Sequence, residues 1–155
     1  MEKGLNTYFG MGENDYQYAK VGMEFSSDLG NYNNVVSGFA QAAEKYLKAI
    51  IQLDYAEEDA LRYLKSHNLR ALLNKIKEKR AFNVSSRDCK WLGDFYFDAR
   101  YPGDNFVLVN SEDAQDALRI IDDVRAETIR ILNEIEEERK KMKTTLNNLK
   151  DLNSF

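Results

Sequence analysis

From Tyr18 to Ile135 apolar residues recur at the 3.6-residue period of an amphipathic helix, and no stretch alternates apolar and polar residues as a half-buried strand does. A chain patterned this way can bury its apolar stripes only by packing helix on helix. The one proline in 155 residues, Pro102, breaks the pattern only once. With 43% hydrophobic and 31% charged residues, the chain has the profile of a single globular domain, long enough to hold a core without disulfides or a structural metal. Short connections between antiparallel helices then predict an all-α fold, an up-and-down bundle of four to five helices with a long last helix.

The segments follow from their stripes and caps. Met1 to Glu13 is Gly-rich and polar and reads as a flexible lead. Tyr18, Val21, Gly22, Phe25 and Leu29 mark a first helix, which Gly30 and Asn31 terminate. In residues 32–55 two adjacent stripes, Val36, Ala40, Ala43, Leu47, Ile50 and Phe39, Tyr46, Leu53, cover a wide arc. A helix apolar over so much of its circumference is central to a bundle or also faces a partner chain. Glu44 and Lys48 are spaced to pair on its narrow polar side. A short helix at 57–65 precedes one capped by Asn68, with Leu69, Leu72, Leu73 and Ile76 inward. Ser85 to Asp88 has the pattern of a capping box for a helix with Trp91, Leu92, Phe95 and Ala99 inward. Ser111, Glu112 and Asp113 open the last helix, with Ala114, Leu118, Ile121, Val124, Ile131 and Ile135 inward. Residues 14–135 make the domain, and 136–155 read as a charged extension whose Met142, Leu146 and Leu149 keep the apolar spacing.

Charge and composition exclude several functions. A formal net charge of -4 does not suit a protein that coats nucleic acid electrostatically. The cations Lys75, Lys77, Lys79 and Arg80 suit the end of a helix, where they complement its dipole. One Cys (Cys89) and one His (His67) cannot make a zinc site within one chain, and no cofactor is implied. No apolar run approaches the roughly 18 residues of a membrane span, so the expected compartment is the cytoplasm.

Chemistry concentrates at three places. Arg100-Tyr101-Pro102-Gly103-Asp104 is a stiff loop that can present a guanidinium and an aromatic ring in a defined direction. His67 precedes a helix N-terminus, and Lys45 lies on the polar side of the central helix. Arg100, Tyr101, His67 and Lys45 are the candidate site residues at these three places.

The segment from Phe39 to Ala49, then His67-Asn68-Leu69 opening a helix, then Ala99-Arg100-Tyr101-Pro102, in this order and spacing, resembles the HEPN family (higher eukaryotes and prokaryotes nucleotide-binding) over about residues 14 to 135. The resemblance implies a compact helical bundle that commonly forms a homodimer. It also implies nucleotide binding, for which Arg100, Tyr101, His67 and Lys45 could supply cations for phosphate and a ring to stack on, or partnership with a small nucleotidyltransferase in a toxin–antitoxin-like pair. The alternatives are metal-independent RNA cleavage, with a histidine as base and a cation stabilising the charged phosphorane, and a dimeric bundle with a purely structural or interaction role. RNase members place an Arg four to six residues before a His near the start of a late helix. Arg62 and His67 satisfy that interval but lie before the third long helix, and Tyr63 stands where those members carry a polar residue.

Overall fold

A computed structural model describes residues 4–98 and 102–154, without the side chain of Phe97. Among these residues there are six helices and no strand: α1 (Tyr8–Leu29), α2 (Asn33–Asp54), α3 (Glu57–Leu64), α4 (Leu69–Lys77), α5 (Ser86–Asp98) and α6 (Ser111–Asn153). The architecture is the expected all-α bundle with a long C-terminal helix; the helices beyond the expected number are short pieces between long ones. No helix among the described residues is long and apolar enough to cross a membrane.

The organising element is α2, which packs on every other helix. Val36, Phe39, Ala43, Tyr46, Leu47 and Ile50 are buried to the last atom, and only Leu53, at the helix end, is exposed. The wide apolar arc is therefore consumed inside one chain and leaves nothing over for a partner. Leu69, Leu72, Leu73 and Ile76 of α4 and Leu92 of α5 close one side, while Ile121, Val124 and Ile131 of α6 close another.

One expectation about α1 is corrected. The helix starts at Tyr8, so the flexible lead does not extend to Glu13: Thr7 caps it by accepting the Gly10 N–H at 3.0 Å, and Phe9 is buried with its ring 5.6 Å from that of Tyr46. The inward face is also not the one the largest apolar residues suggest. Phe9, Gly12, Tyr16 and Ala19 face α2, whereas Tyr18, Val21, Phe25 and Leu29 face outward. Small residues decide this orientation, because they let the two backbones approach. A Cβ on Gly38 of α2 would sit 3.0 Å from that of Ala19, and one on Gly12 would meet the Tyr46 ring at 3.0 Å. Gly30 ends α1 as expected, in the left-handed conformation (φ 63°) with its N–H on the Ser26 carbonyl.

Polar contacts then fix the helices against one another. Glu13 of α1 accepts the Tyr46 hydroxyl at 2.5 Å and a two-pronged contact from Arg125 of α6 at 2.6 and 2.9 Å. Asn33 at the start of α2 holds the strap between α5 and α6, donating to the Val107 carbonyl at 2.7 Å and accepting the Val109 N–H at 2.8 Å. Asn110 caps α6 through the Asp113 N–H. Leu118, expected inward, is only partly buried, and beyond Ile135 the helix runs exposed to Asn153 with Met142, Leu146 and Leu149 in solvent.

Arg80, just past α4, staples three elements. It donates to Asp54 at the end of α2 (2.7 and 2.9 Å) and to Glu138 of α6 (2.8 and 3.1 Å). The Arg80 hydrogen bonds hold the Asp54 carboxyl below its ordinary value of 3.8, outweighing the opposite effect of burial. A depressed folded-state value means stability that is present above the ordinary carboxylate range and lost as pH falls through the folded value. Asp54→Asn should thus cost about 1–2 kcal/mol at pH 7 in urea denaturation, and the gap to wild type should close in acid below about pH 4. In α5, burial pushes the Cys89 thiol up to about 12. Native protein at pH 8 should resist alkylation by iodoacetamide, with one equivalent of label entering on unfolding.

Candidate functional site

The site grows out of the turn between α3 and α4. The Ser66 N–H bonds the Tyr63 carbonyl at 2.9 Å as α3 ends, and the Ser66 hydroxyl accepts the Asn68 N–H at 3.1 Å. Asn68 then caps α4 by accepting from Ala71 N–H at 3.0 Å, as its place in the sequence predicts. This tight turn delivers His67 onto α2. Its Nδ1 lies 3.1 and 3.2 Å from the two oxygens of Glu44, and its ring stacks on Tyr96 of α5 with centroids 5.8 Å apart and planes 13° from parallel.

Glu44 is held in turn. The buried Lys48 ammonium, one helical turn on, donates to it at 2.6 Å, so the carboxylate is fixed before the imidazole arrives. A carboxylate only accepts, so Nδ1 carries the proton in this contact, and the ring is held in one orientation.

Beside this pair a cleft of about 530 Å³ opens between the start of α4 and α5. His67, Asn68 and Arg70 line one wall, Lys90, Asp94 and Asp98 the other, with Gly93 between. Gly93 sets its width: a Cβ there would sit 3.3 Å from the Leu69 side chain. Lys90 is neutralised by Asp94 at 2.9 Å. Exposed Arg70, in the first turn of α4, has no carboxylate partner among the described residues, and it lies beside backbone N–H groups that a helix start leaves without intrahelical acceptors.

Of the candidate site residues Arg62, His67, Lys45, Arg100 and Tyr101, His67 alone lines the cleft among those described. Arg100 and Tyr101 lie outside the described residues; the chain reaches them two and three positions after Asp98 at the rim. Lys45 is directed to α1, where it pairs with Asp15, because neighbours on a helix are turned about 100° from each other. Arg62 lies over the ring of its neighbour Tyr63, 5.9 Å from the centroid, and no contact joins it to His67. Glu44 as the anchor of His67, Tyr96 as its stacking platform, and Arg70 are what sequence reasoning missed. Arg70 carried a local signal, since it shares the first turn of the helix that Asn68 opens. Tyr96 carried none, because only the packing of α5 on α4 brings it to the imidazole.

Among the described residues no group of three His, Cys, Asp or Glu side chains could hold a metal ion. What the cleft offers instead is a guanidinium, an oriented imidazole and a helix start on one side, with carboxylates opposite. Such a set can bind an anionic group that also carries donors. No curated protein and no solved structure matches the chain. The family described as HEPN domain matches residues 7–132, taking in α1 to α5, the α4 turn with His67 and most of the buried part of α6, and the chain belongs to that family.

Proposed function

We propose that this HEPN-domain chain is a nucleotide-binding module, the first of the two roles expected for it beside that of partner subunit to a small nucleotidyltransferase, taking the phosphate of a nucleotide at the start of α4. The observation that carries the reading is the Arg70 guanidinium, without a carboxylate partner among the described residues, beside the α4 N-terminus and the oriented His67 in a cleft of about 530 Å³. That volume lies within the roughly 300–1,000 Å³ of small-ligand sites. Phosphate oxygens accept from Arg70 and from backbone N–H groups, while Asp98 and Asp94 accept from ribose hydroxyls or a base amino group. The proposal keeps Arg100 and Tyr101, two and three positions after Asp98 in the sequence, as a second phosphate donor and a stacking ring. Lys45, engaged with Asp15, takes no part.

Binding is favoured over RNA cleavage by the positions of the two groups that cleavage requires. Arg62 is directed at Tyr63, and His67 is the only histidine of the chain. One imidazole held by a carboxylate can bind a phosphate, whereas strand scission needs a base, an acid and a cation at one phosphorus.

Thermal melting with ATP, GTP and a short RNA, with and without magnesium, tests this directly. A nucleotide at a hundred times its dissociation constant should stabilise the fold by about 2.7 kcal/mol. Arg70→Ala and Arg100→Ala should each lose most of that shift, and Lys45→Ala should keep it. Absence of a shift with every nucleotide, or equal shifts in all variants, overturns the proposal. RNA cleavage by the wild type that His67→Ala abolishes establishes the ribonuclease reading in its place.

A further inference from the structure

The two walls of the α4–α5 cleft do not end level, and the difference bears on which nucleotide fits. α4 and α5 run antiparallel: the Ser86 hydroxyl at the start of α5 donates to Asn74 near the end of α4 at 2.6 Å, while Gly93 packs on Leu69 at the α4 start. From Gly93 the helix continues to Asp98, about 7.5 Å further at the helical rise, so α5 overhangs the α4 N-terminus. The Val107 N–H, on the Asp98 carbonyl at 3.1 Å, ties this overhang to the strap.

Two carboxylates are thereby set at different heights along α5. Asp94, level with the α4 start, is taken up by Lys90 at 2.9 Å. Asp98, on the overhang, lines the cleft half-buried, and no cation or donor reaches its side chain among the described residues. An anionic side chain at the C-terminal end of a helix opposes the dipole, so the fold gains nothing from it there.

We infer, resting on the nucleotide reading above, that the cleft takes guanine nucleotides and that Asp98 is the residue that selects the base. With a phosphate on Arg70 and the α4 backbone N–H groups, the ribose lies beside it at the level of Asp94, and the base extends along the overhang to Asp98. Ribose hydroxyls also suit a carboxylate, but they lie next to the phosphate and not at the far end. A carboxylate offers two acceptors side by side and no donor. Guanine presents two adjacent donors, N1–H and the N2 amino group, and fills both oxygens at once. Adenine and cytosine set an amino donor beside a ring-nitrogen lone pair, which the carboxylate repels, and uracil sets one N–H between two carbonyls. A wrong base thus leaves the Asp98 carboxylate desolvated and unpaired, which is how a polar site rejects an analogue.

Calorimetric titration of the wild type with GTP, ATP, ITP and XTP, each with magnesium, tests the assignment. GTP should bind at least about tenfold tighter than ATP, the discrimination of one bidentate contact. ITP, which keeps N1–H but lacks the amino group, should fall between them. Asp98→Asn exchanges one acceptor for a donor and so matches xanthine, whose C2 carries a carbonyl. The variant should prefer XTP to GTP and melt no lower than the wild type, a gain that mere damage to the cleft does not produce. Wild-type affinities for ATP and GTP within about threefold overturn the inference, and that comparison needs no variant. So does an Asp98→Asn protein that keeps the preference for GTP. In either case, binding that Arg70→Ala abolishes leaves the nucleotide site standing, whereas no binding of any nucleotide removes both.

Discussion

The burial of α2 on all sides is the constraint from which the rest of the molecule follows. A helix whose Phe39, Tyr46, Leu47 and Ile50 are fully withdrawn from water needs neighbours around nearly its whole circumference, and the other helices are placed by that need. Its few polar side chains are then forced into fixed pairings. Lys48 is buried with its ammonium on Glu44, and Lys45, one residue from Glu44, reaches Asp15 of α1. A buried charge without a partner costs several kcal/mol, so these pairings are as much a condition of the packing as the apolar contacts.

From that condition the candidate site inherits its geometry. Glu44 sits on the polar edge of α2 because the rest of the helix is occupied, and the short turn after α3 brings His67 to it. Stacking on Tyr96 and the contact with Glu44 hold the ring from two directions, while Gly93 keeps α5 close enough to form the other wall. The outward apolar face of α1 has the same origin. Once Gly12 and Ala19 have fitted against Tyr46 and Gly38, the helix is locked in rotation and its bulkier stripe is left on the surface.

Much of the fold was legible in the sequence where the signal is local. Asn68, Ser85 and Gly30 act where their chemistry places them, and the inward residues of α4 and most of those of α6 are the ones periodicity selects. The facing of α1 was not legible, because hydrophobicity counts apolar area, whereas the contact was decided by how closely two backbones can approach. The lead before Glu13 misled for a related reason: its glycines look like breakers, yet Gly10 and Gly12 are buried parts of a capped helix. In the candidate site, His67 was legible from its place before a capped helix and from the family motif. Its anchor and its stacking partner were not.

By itself the sequence determined the helical class, most of the caps, the central rank of α2 and membership of the HEPN domain family, because each rests on residue types at short spacing or on motifs held in order along one chain. Only the tertiary structure decided which stripe of α1 turned inward, that the wide arc of α2 is spent within one chain, and that His67 meets Glu44, Tyr96 and the Arg70 cleft rather than Arg62 or Lys45. The physical reason is common to all three. A helix fixes the angles between its own residues, but which of its faces meets which neighbour depends on the fit of small against large side chains from segments far apart in the chain.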